Sequence, residues 1–281
     1  MYGGRASPRR ISLGESRGIE PNREAIRPVH GVRFQDRSDG IRPDAVVLSP
    51  PMSDSKRAFI DFMCESGVLT FGDFVTKSGR PTPYFVNTGR YTLGSQMRTL
   101  GLAYARTITE AFGRDFDVLF GPAYKGIPLV VATAEALAAE HDLDVAICFN
   151  RKEAKDHGEG GVLVGHPLKD GDRVLIIEDV TTAGTSIRET VPILRAAAAI
   201  ELSGLVISVD RMERGPSGEG SALEEVGREF SMRTESIVDL DDIVEHLHPD
   251  QGRPHAITPE DLRRIRDYRE KFGVPSRLED T

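Results

Sequence analysis

Cysteine is scarce in this chain. Cys64 and Cys148 are the only two among 281 residues, and both sit in apolar surroundings. Two buried free thiols are expected, and a disulfide-stapled secreted scaffold is excluded. No apolar run approaches the roughly 18 residues of a membrane-spanning helix. No apolar stretch lies near the N-terminus either, so neither a membrane span nor a secretory leader is expected, and a cytoplasmic location is. Positive charge is in deficit: the net charge of −8 speaks against nucleic acid as the main partner. Hydrophobic residues make up 39%, low for a fully packed chain, so part of the sequence should lie outside the core. No internal repeat is apparent. His246 and His248 stand at i, i+2 without a nearby thiol; they fall short of a metal-ligand set and read as part of a surface segment.

Residues 1–51 differ from the rest. Arg recurs at 5, 9, 10, 17, 23, 27, 33, 37 and 42 with Gly, Pro and Ser between, and no helical or strand period persists. A disordered, functionless Arg-rich extension is expected, or residues ahead of a true start at Met52. Residues 52–281 alternate between helix and strand patterns. Helices are expected over Ser55–Ser66, Gln96–Phe112, Ile127–Glu140, Ser186–Ala199 and Pro259–Phe272. The second carries Met97, Leu100, Tyr104, Ile108 and Phe112 at helical spacing. The last opens on a Thr258/Asp261 capping box and stops at Gly273. Strands are expected at Val118–Phe120, Val145–Phe149, Val174–Ile177, Leu205–Val209 and Ser236–Val238. This rhythm predicts an α/β fold, a mostly parallel sheet with helices on both faces.

Chemistry concentrates in Arg173–Ile187, RVLIIEDVTTAGTSI. A buried-type strand runs into adjacent carboxylates, Glu178 and Asp179, then into small and hydroxyl residues at a helix start. Carboxylates there can accept hydrogen bonds from ribose hydroxyls. The turn can surround a phosphate with N–H and hydroxyl donors at a helix N-terminus. Capping alone would need fewer such residues, and a buried strand seldom ends in two like charges without a ligand. Three further segments carry polar or charged residues after candidate strands. Gly121–Pro128, GPAYKGIP, has Walker A glycine spacing, but Ile127 and Pro128 replace the Lys-Ser/Thr which that loop requires. Asn150–Gly161, NRKEAKDHGEGG, offers Arg151, Lys152, Lys155 and His157 as cationic donors on a glycine-hinged loop. Arg211 follows the fourth strand; a planar guanidinium suits a carboxylate, while the plainer reading is a surface ion pair with Asp210 or Glu213.

The Arg173–Ile187 segment resembles the signature of type I phosphoribosyltransferases, which use 5-phosphoribosyl-1-diphosphate (PRPP); Glu178 stands where many members have Asp. Asn150–Gly161 resembles the mobile catalytic loop of the orotate phosphoribosyltransferases, and the likeness runs over roughly residues 52–274. Read through that resemblance, the fold is the type I phosphoribosyltransferase fold with a small hood region. Lys155, His157, Arg151, Lys152 and Asp179 are catalytic. Tyr124, Lys125, Glu178, Asp179, Val180, Thr181, Thr182, Ala183, Gly184, Thr185 and Ser186 bind PRPP, with the 5-phosphate in Thr181–Ser186. Lys77, Tyr84, Phe85, Thr182 and Arg211 bind orotate. Without the family, Gly79, Pro81 and Pro83 make a loop and the Tyr84–Phe85 pair reads as core aromatics.

The resemblance further implies orotidine 5′-monophosphate and diphosphate as products, in de novo pyrimidine (UMP) biosynthesis. It implies Mg²⁺ as the cofactor, carried on phosphate oxygens and water without a dedicated protein cage. It implies a homodimer whose loop is shared between subunits. Two alternatives remain at this point: a phosphoribosyltransferase for a purine or uracil, and a PRPP-sensing regulator that binds nucleic acid through the Arg-rich arm. Lys77, Arg211 and the cationic loop favour an anionic pyrimidine.

Overall fold

The computed structural model describes residues 52–76, 79–155, 161–181 and 183–278, with the side chains of Ala154 and Lys155 excepted. The expectations for residues 1–51 fall outside it. Helix α1 (Asp54–Glu65) starts where the Ser53 side chain accepts the Lys56 N–H, and it buries Phe59, Ile60 and Met63. A hairpin follows, β1 (Leu69–Val75) against β2 (Pro81–Val86), antiparallel with a register break between Phe71 and Phe74. This is the hood. The loop expected around Pro81 and Pro83 is instead a strand, and the lone partner strand leaves the proline nitrogens free of any ladder on the other side.

The body runs α2 (Gly94–Phe112), β3 (Val118–Gly121), α3 (Gly126–His141), β4 (Ala146–Lys155), β5 (Gly161–Gly165), β6 (Arg173–Val180), α4 (Thr185–Ala197), β7 (Glu201–Asp210), α5 (Ala222–Phe230), β8 (Arg233–Asp239), α6 (Leu240–His246) and α7 (Pro259–Phe272). Six strands form one sheet in the order β5-β4-β3-β6-β7-β8. All neighbours pair parallel except β5, which runs antiparallel to β4. Side-chain alternation along the strands sends two sets of apolar residues to opposite faces. Leu119, Leu175, Ile177 and Val206 pack into a core with α2 and α3 residues such as Tyr104, Ile108 and Val130. Val118, Phe120, Val174, Ile176, Leu205 and Ile207 pack with Ile187, Val191 and Leu194 of α4 and Val226 of α5. Helices thus cover both faces, which is why the central strands read as continuous apolar runs.

The Thr258 side chain accepts the Asp261 N–H at 3.1 Å, as the capping box predicts, and Gly273 ends α7 in extended rather than left-handed backbone. Cys148 is buried, Cys64 is half-buried, and both are free thiols. Two expectations are corrected. The segment after Phe149 does not leave the sheet: β4 continues through Arg151 and Lys152 to Lys155, whose backbone pairs with Gly161 of β5. And His246 is no surface residue. It is 1% exposed and shares a 2.7 Å hydrogen bond through Nε2 with Asp61 of α1, a partner 185 residues away that gives a buried imidazole its required polar contact. Among the described residues, no helix is long and apolar enough to cross a membrane.

Candidate active site

The strand order reverses at β3: the chain moves from β3 outward to β4, then back to β6 on the other side. In open α/β sheets that crevice, beyond the carboxyl ends of the strands, is where ligands sit. A cleft of about 890 Å³ lies there, walled by the later residues of β4 and β6, the loop after β3, the start of α4 and Arg211 beyond β7, and roofed by the hood.

The loop after β3 can lie flat against the sheet because of two glycines. A Cβ on Gly121 would lie 2.1 Å from the Gly126 carbonyl oxygen, and one on Gly126 would lie 2.6 Å from the Gly121 carbonyl carbon. Gly126→Ala is expected to destabilise the fold by about 1–3 kcal/mol through overpacking, read as a lower urea midpoint; an unchanged midpoint would show that the loop relaxes freely. Tyr124 and Lys125 project from this loop. Tyr124 is two-thirds exposed, and the Lys152 ammonium lies 5.5 Å from its ring centroid. The Lys125 ammonium reaches Asp179 Oδ2 at 2.7 Å and Thr88 Oγ1 at 3.1 Å. Thr88 donates its own hydroxyl proton to the same Asp179 oxygen at 2.6 Å. Asn150, midway along β4, accepts the Ala123 N–H at 2.8 Å and ties this loop to the neighbouring strand.

Beneath the acidic pair, buried hydroxyls hold the backbone. Tyr104 donates to the Glu178 carbonyl at 2.7 Å and Ser208 to the Asp179 carbonyl at 2.6 Å. Both carboxylates are less than 10% exposed. Burial pushes the Glu178 carboxyl up to about 7; the Ser186 hydroxyl that donates to it opposes this, and the charge of Asp179 adds to it. Asp179 is equally buried, but donation from Lys125 and Thr88 and the Lys125 charge outweigh burial and hold it below the usual carboxylate range. Near neutrality Glu178 is therefore the member that takes up a proton. A carboxyl raised in the folded state contributes stability below its unfolded value of 4.5, and that contribution is lost as pH rises through about 7. Glu178→Gln keeps an acceptor for Ser186 and removes this dependence. Between pH 5 and pH 8, wild type is expected to lose about 2–3 kcal/mol relative to the variant in urea melts; parallel pH profiles would contradict the shift.

After β6, Thr181 turns its hydroxyl oxygen inward to accept the Gly184 N–H at 2.9 Å. Gly184 sits at φ +69, and a Cβ there would lie 2.2 Å from Val226, so only glycine closes this turn into α4. Ser186 and Val180 line the cleft. At the end of β7 the Asp210 carboxylate accepts the Met212 N–H at 2.8 Å, holding Met212 at φ +52. That kink brings Arg211 and Glu213 together: Arg211 Nη2 lies 2.6 Å from Glu213 Oε1. Arg211 is 5% exposed, so the pair is a buried one, not the surface pair of the plainer reading.

The cleft thus gathers Phe85, Tyr124, Lys125, Arg151, Lys152, Glu178, Asp179, Val180, Ser186 and Arg211. Tyr84 is corrected. It is fully buried, edge-on to Tyr268 at 6.1 Å. Tyr84 does not line the cleft; the residues from the hood that do are Thr76, Arg80, Phe85 and Val86. Lys77, His157, Thr182 and the Lys155 side chain lie outside the described residues. Thr88, Asn150 and Arg80 escape sequence reasoning, since each acts on a residue distant in the chain. Asn150 at least opens the Asn150–Gly161 segment.

A phosphorylated sugar fits this geometry: acids for hydroxyls, a helix start for a phosphate, cations opposite. Residues 97–224 match the family model of the phosphoribosyl transferase domain. The chain is 56% identical over 224 residues to the orotate phosphoribosyltransferase of Clostridium beijerinckii, covering 79% of this chain and all of that protein. It is 49% identical to the Shigella dysenteriae enzyme of the same name, again over 79% of this chain and all of the other. The crystal structure of the Francisella tularensis orotate phosphoribosyltransferase superposes with a TM-score of 0.67 at 34% identity, covering 77% of this chain and all of that one. Fold and cleft are those of a type I phosphoribosyltransferase. Within that class, the chain belongs to the orotate phosphoribosyltransferase family.

Proposed function

We propose that this protein transfers the 5-phosphoribosyl group from PRPP to orotate, yielding orotidine 5′-monophosphate and diphosphate for pyrimidine (UMP) synthesis. The observation that carries this reading is the buried Glu178–Asp179 pair set beside the start of α4 and faced by Lys125. Orotate N1 attacks ribose C1 as the bond from C1 to the diphosphate oxygen breaks, through a state with oxocarbenium character. Glu178 and Asp179 accept hydrogen bonds from the ribose hydroxyls. The backbone of 181–186 receives the 5-phosphate, helped by the α4 dipole. Tyr124 and Lys125 meet the diphosphate. Arg151, Lys152, Lys155 and His157 supply cationic donors where the leaving group gathers charge, which stabilises the transition state more than the ground state. Phe85 faces the base, and Arg211 its carboxylate.

Mg²⁺ is proposed as the cofactor. Among the described residues no group of three or more His, Cys, Asp or Glu side chains is placed to hold a metal. The all-oxygen donors Glu178 and Asp179 suit a hard cation that enters on phosphate oxygens. Glu178 and Asp179 would hold it there, and it would supply positive charge against the diphosphate. A cytoplasmic homodimer, with the β4–β5 loop completing the partner's cleft, is part of the same proposal.

The test is a spectrophotometric assay with PRPP and Mg²⁺. Orotate is expected to be consumed, with uracil and hypoxanthine left untouched. Turnover of either of those in place of orotate would reassign the base.

A further inference from the structure

Glu213 is a buried carboxylate, 3% exposed, that serves three donors. Arg211 Nη2 lies 2.6 Å from Oε1 and the Tyr268 hydroxyl 2.8 Å from the same oxygen. Arg80, from the hood, donates through Nη2 to Oε2. The two guanidiniums are also fixed from the side. Arg211 lies 4.9 Å above the Tyr84 ring and donates to Thr82 at 3.3 Å. Arg80 lies 4.8 Å from the Phe272 ring centroid and 5.5 Å from that of Tyr268. Hood, β7 end and α7 thus meet on one carboxylate.

Charge decides what this arrangement can do. Two guanidiniums against one carboxylate leave a net charge of +1 at the inner end of the cleft. Both arginines line that cleft, and the Nε of each is buried without a hydrogen-bond partner among the described residues. Arg211 is buried and the Arg80 side chain is 26% exposed, so the surplus charge is only partly solvated and is costly unless an anion meets it. Arg211 alone with Glu213 would form a neutral pair, which has little net attraction for a carboxylate. Arg80 restores the charge, and Glu213 clamps the Arg211 fork in one orientation for a planar partner.

We propose that Arg80 is a specificity-determining residue for a carboxylate-bearing base, and that Glu213 and Tyr268 are positioning residues that hold both arginines for it. This rests on orotate as the acceptor. Arg80 supplies the surplus charge that separates an anionic pyrimidine from a neutral one. Tyr268 links α7, none of whose residues lines the cleft, to the two arginines through Glu213.

The experiment measures kcat and both KM values for wild type, Arg80→Met, Arg80→Lys and Tyr268→Phe. Arg80→Met is expected to raise KM for orotate at least about tenfold, with KM for PRPP within about twofold. Arg80→Lys should recover part of the loss, since it keeps the charge but not the fork. Tyr268→Phe removes one hydroxyl without opening a cavity, and should raise KM for orotate about threefold or more. An Arg80→Met that folds yet leaves KM for orotate unchanged, or raises both KM values alike, overturns the inference. So does an unchanged Tyr268→Phe, which decides the matter if Arg80→Met does not fold. A wild type that ignores orotate overturns the functional reading as well, so the two failures are told apart.

Discussion

Lys155→Ala is expected to lower kcat by about a hundred- to a thousandfold, the usual effect of removing one preorganised donor to transition-state charge. KM for orotate should change far less, because the diphosphate gathers its charge only as the bond to C1 breaks. Lys155 ends β4, where the backbone pairs with Gly161 before the chain turns back along β5. Its backbone thus belongs to the antiparallel β4–β5 hairpin at the edge of the sheet. A kcat equal to wild type would take the hairpin out of the mechanism. The proposed sharing of this hairpin between subunits makes a second, linked outcome available. Mixed dimers of Lys155→Ala and Asp179→Ala chains should regain part of the activity, since one of the two clefts then holds an intact Asp179 and a partner's intact Lys155. Verified mixed dimers with no recovery would refute a shared cleft.

Asp179→Asn is the second large effect. The substitution keeps size and one acceptor but removes the charge that Lys125 and Thr88 both address. Lys125 loses its counter-ion, and the ribose hydroxyls lose a charged acceptor. Hydrogen bonds to charged groups contribute about 1.5–3 kcal/mol each, so PRPP should bind roughly ten- to 150-fold more weakly. The KM for orotate, set at the other end of the cleft, should move little. Calorimetric titration with PRPP reads this directly, and equal affinity for both proteins would remove Asp179 from sugar recognition.

Much of this site could be read before the fold was known, for a physical reason. Parallel strands buried on both faces must be continuous apolar runs, so Val174–Ile177 and Leu205–Val209 stand out, and whatever polar residues follow them lie on one edge. Glu178 and Asp179 stand out that way, at the end of an apolar strand, whereas Lys125 and Arg211 take their roles from the family resemblance. What stayed hidden depends on contacts across the chain. Thr88 touches Asp179 from 91 residues away, and Asp61 meets His246 from 185 away; no local pattern records either. The hood is implied by the resemblance, but its strand β2 (Pro81–Val86) escapes because Pro81 and Pro83 read as loop, although a two-stranded hairpin tolerates proline on its open side. Tyr84 is misread because burial against Tyr268, a partner far along the chain, takes it out of the cleft that its neighbour Phe85 lines. Helix α5 was legible in retrospect: Ser221 and Glu224 form a reciprocal capping box, the signal recognised only at Thr258.

Soaking PRPP with magnesium into crystals of the protein tests the central claim most directly. The account predicts the 5-phosphate seated against residues 181–186 at the start of α4, the ribose hydroxyls on Glu178 and Asp179, and the diphosphate turned toward Lys125. Density for the sugar phosphate anywhere other than this crevice would contradict it.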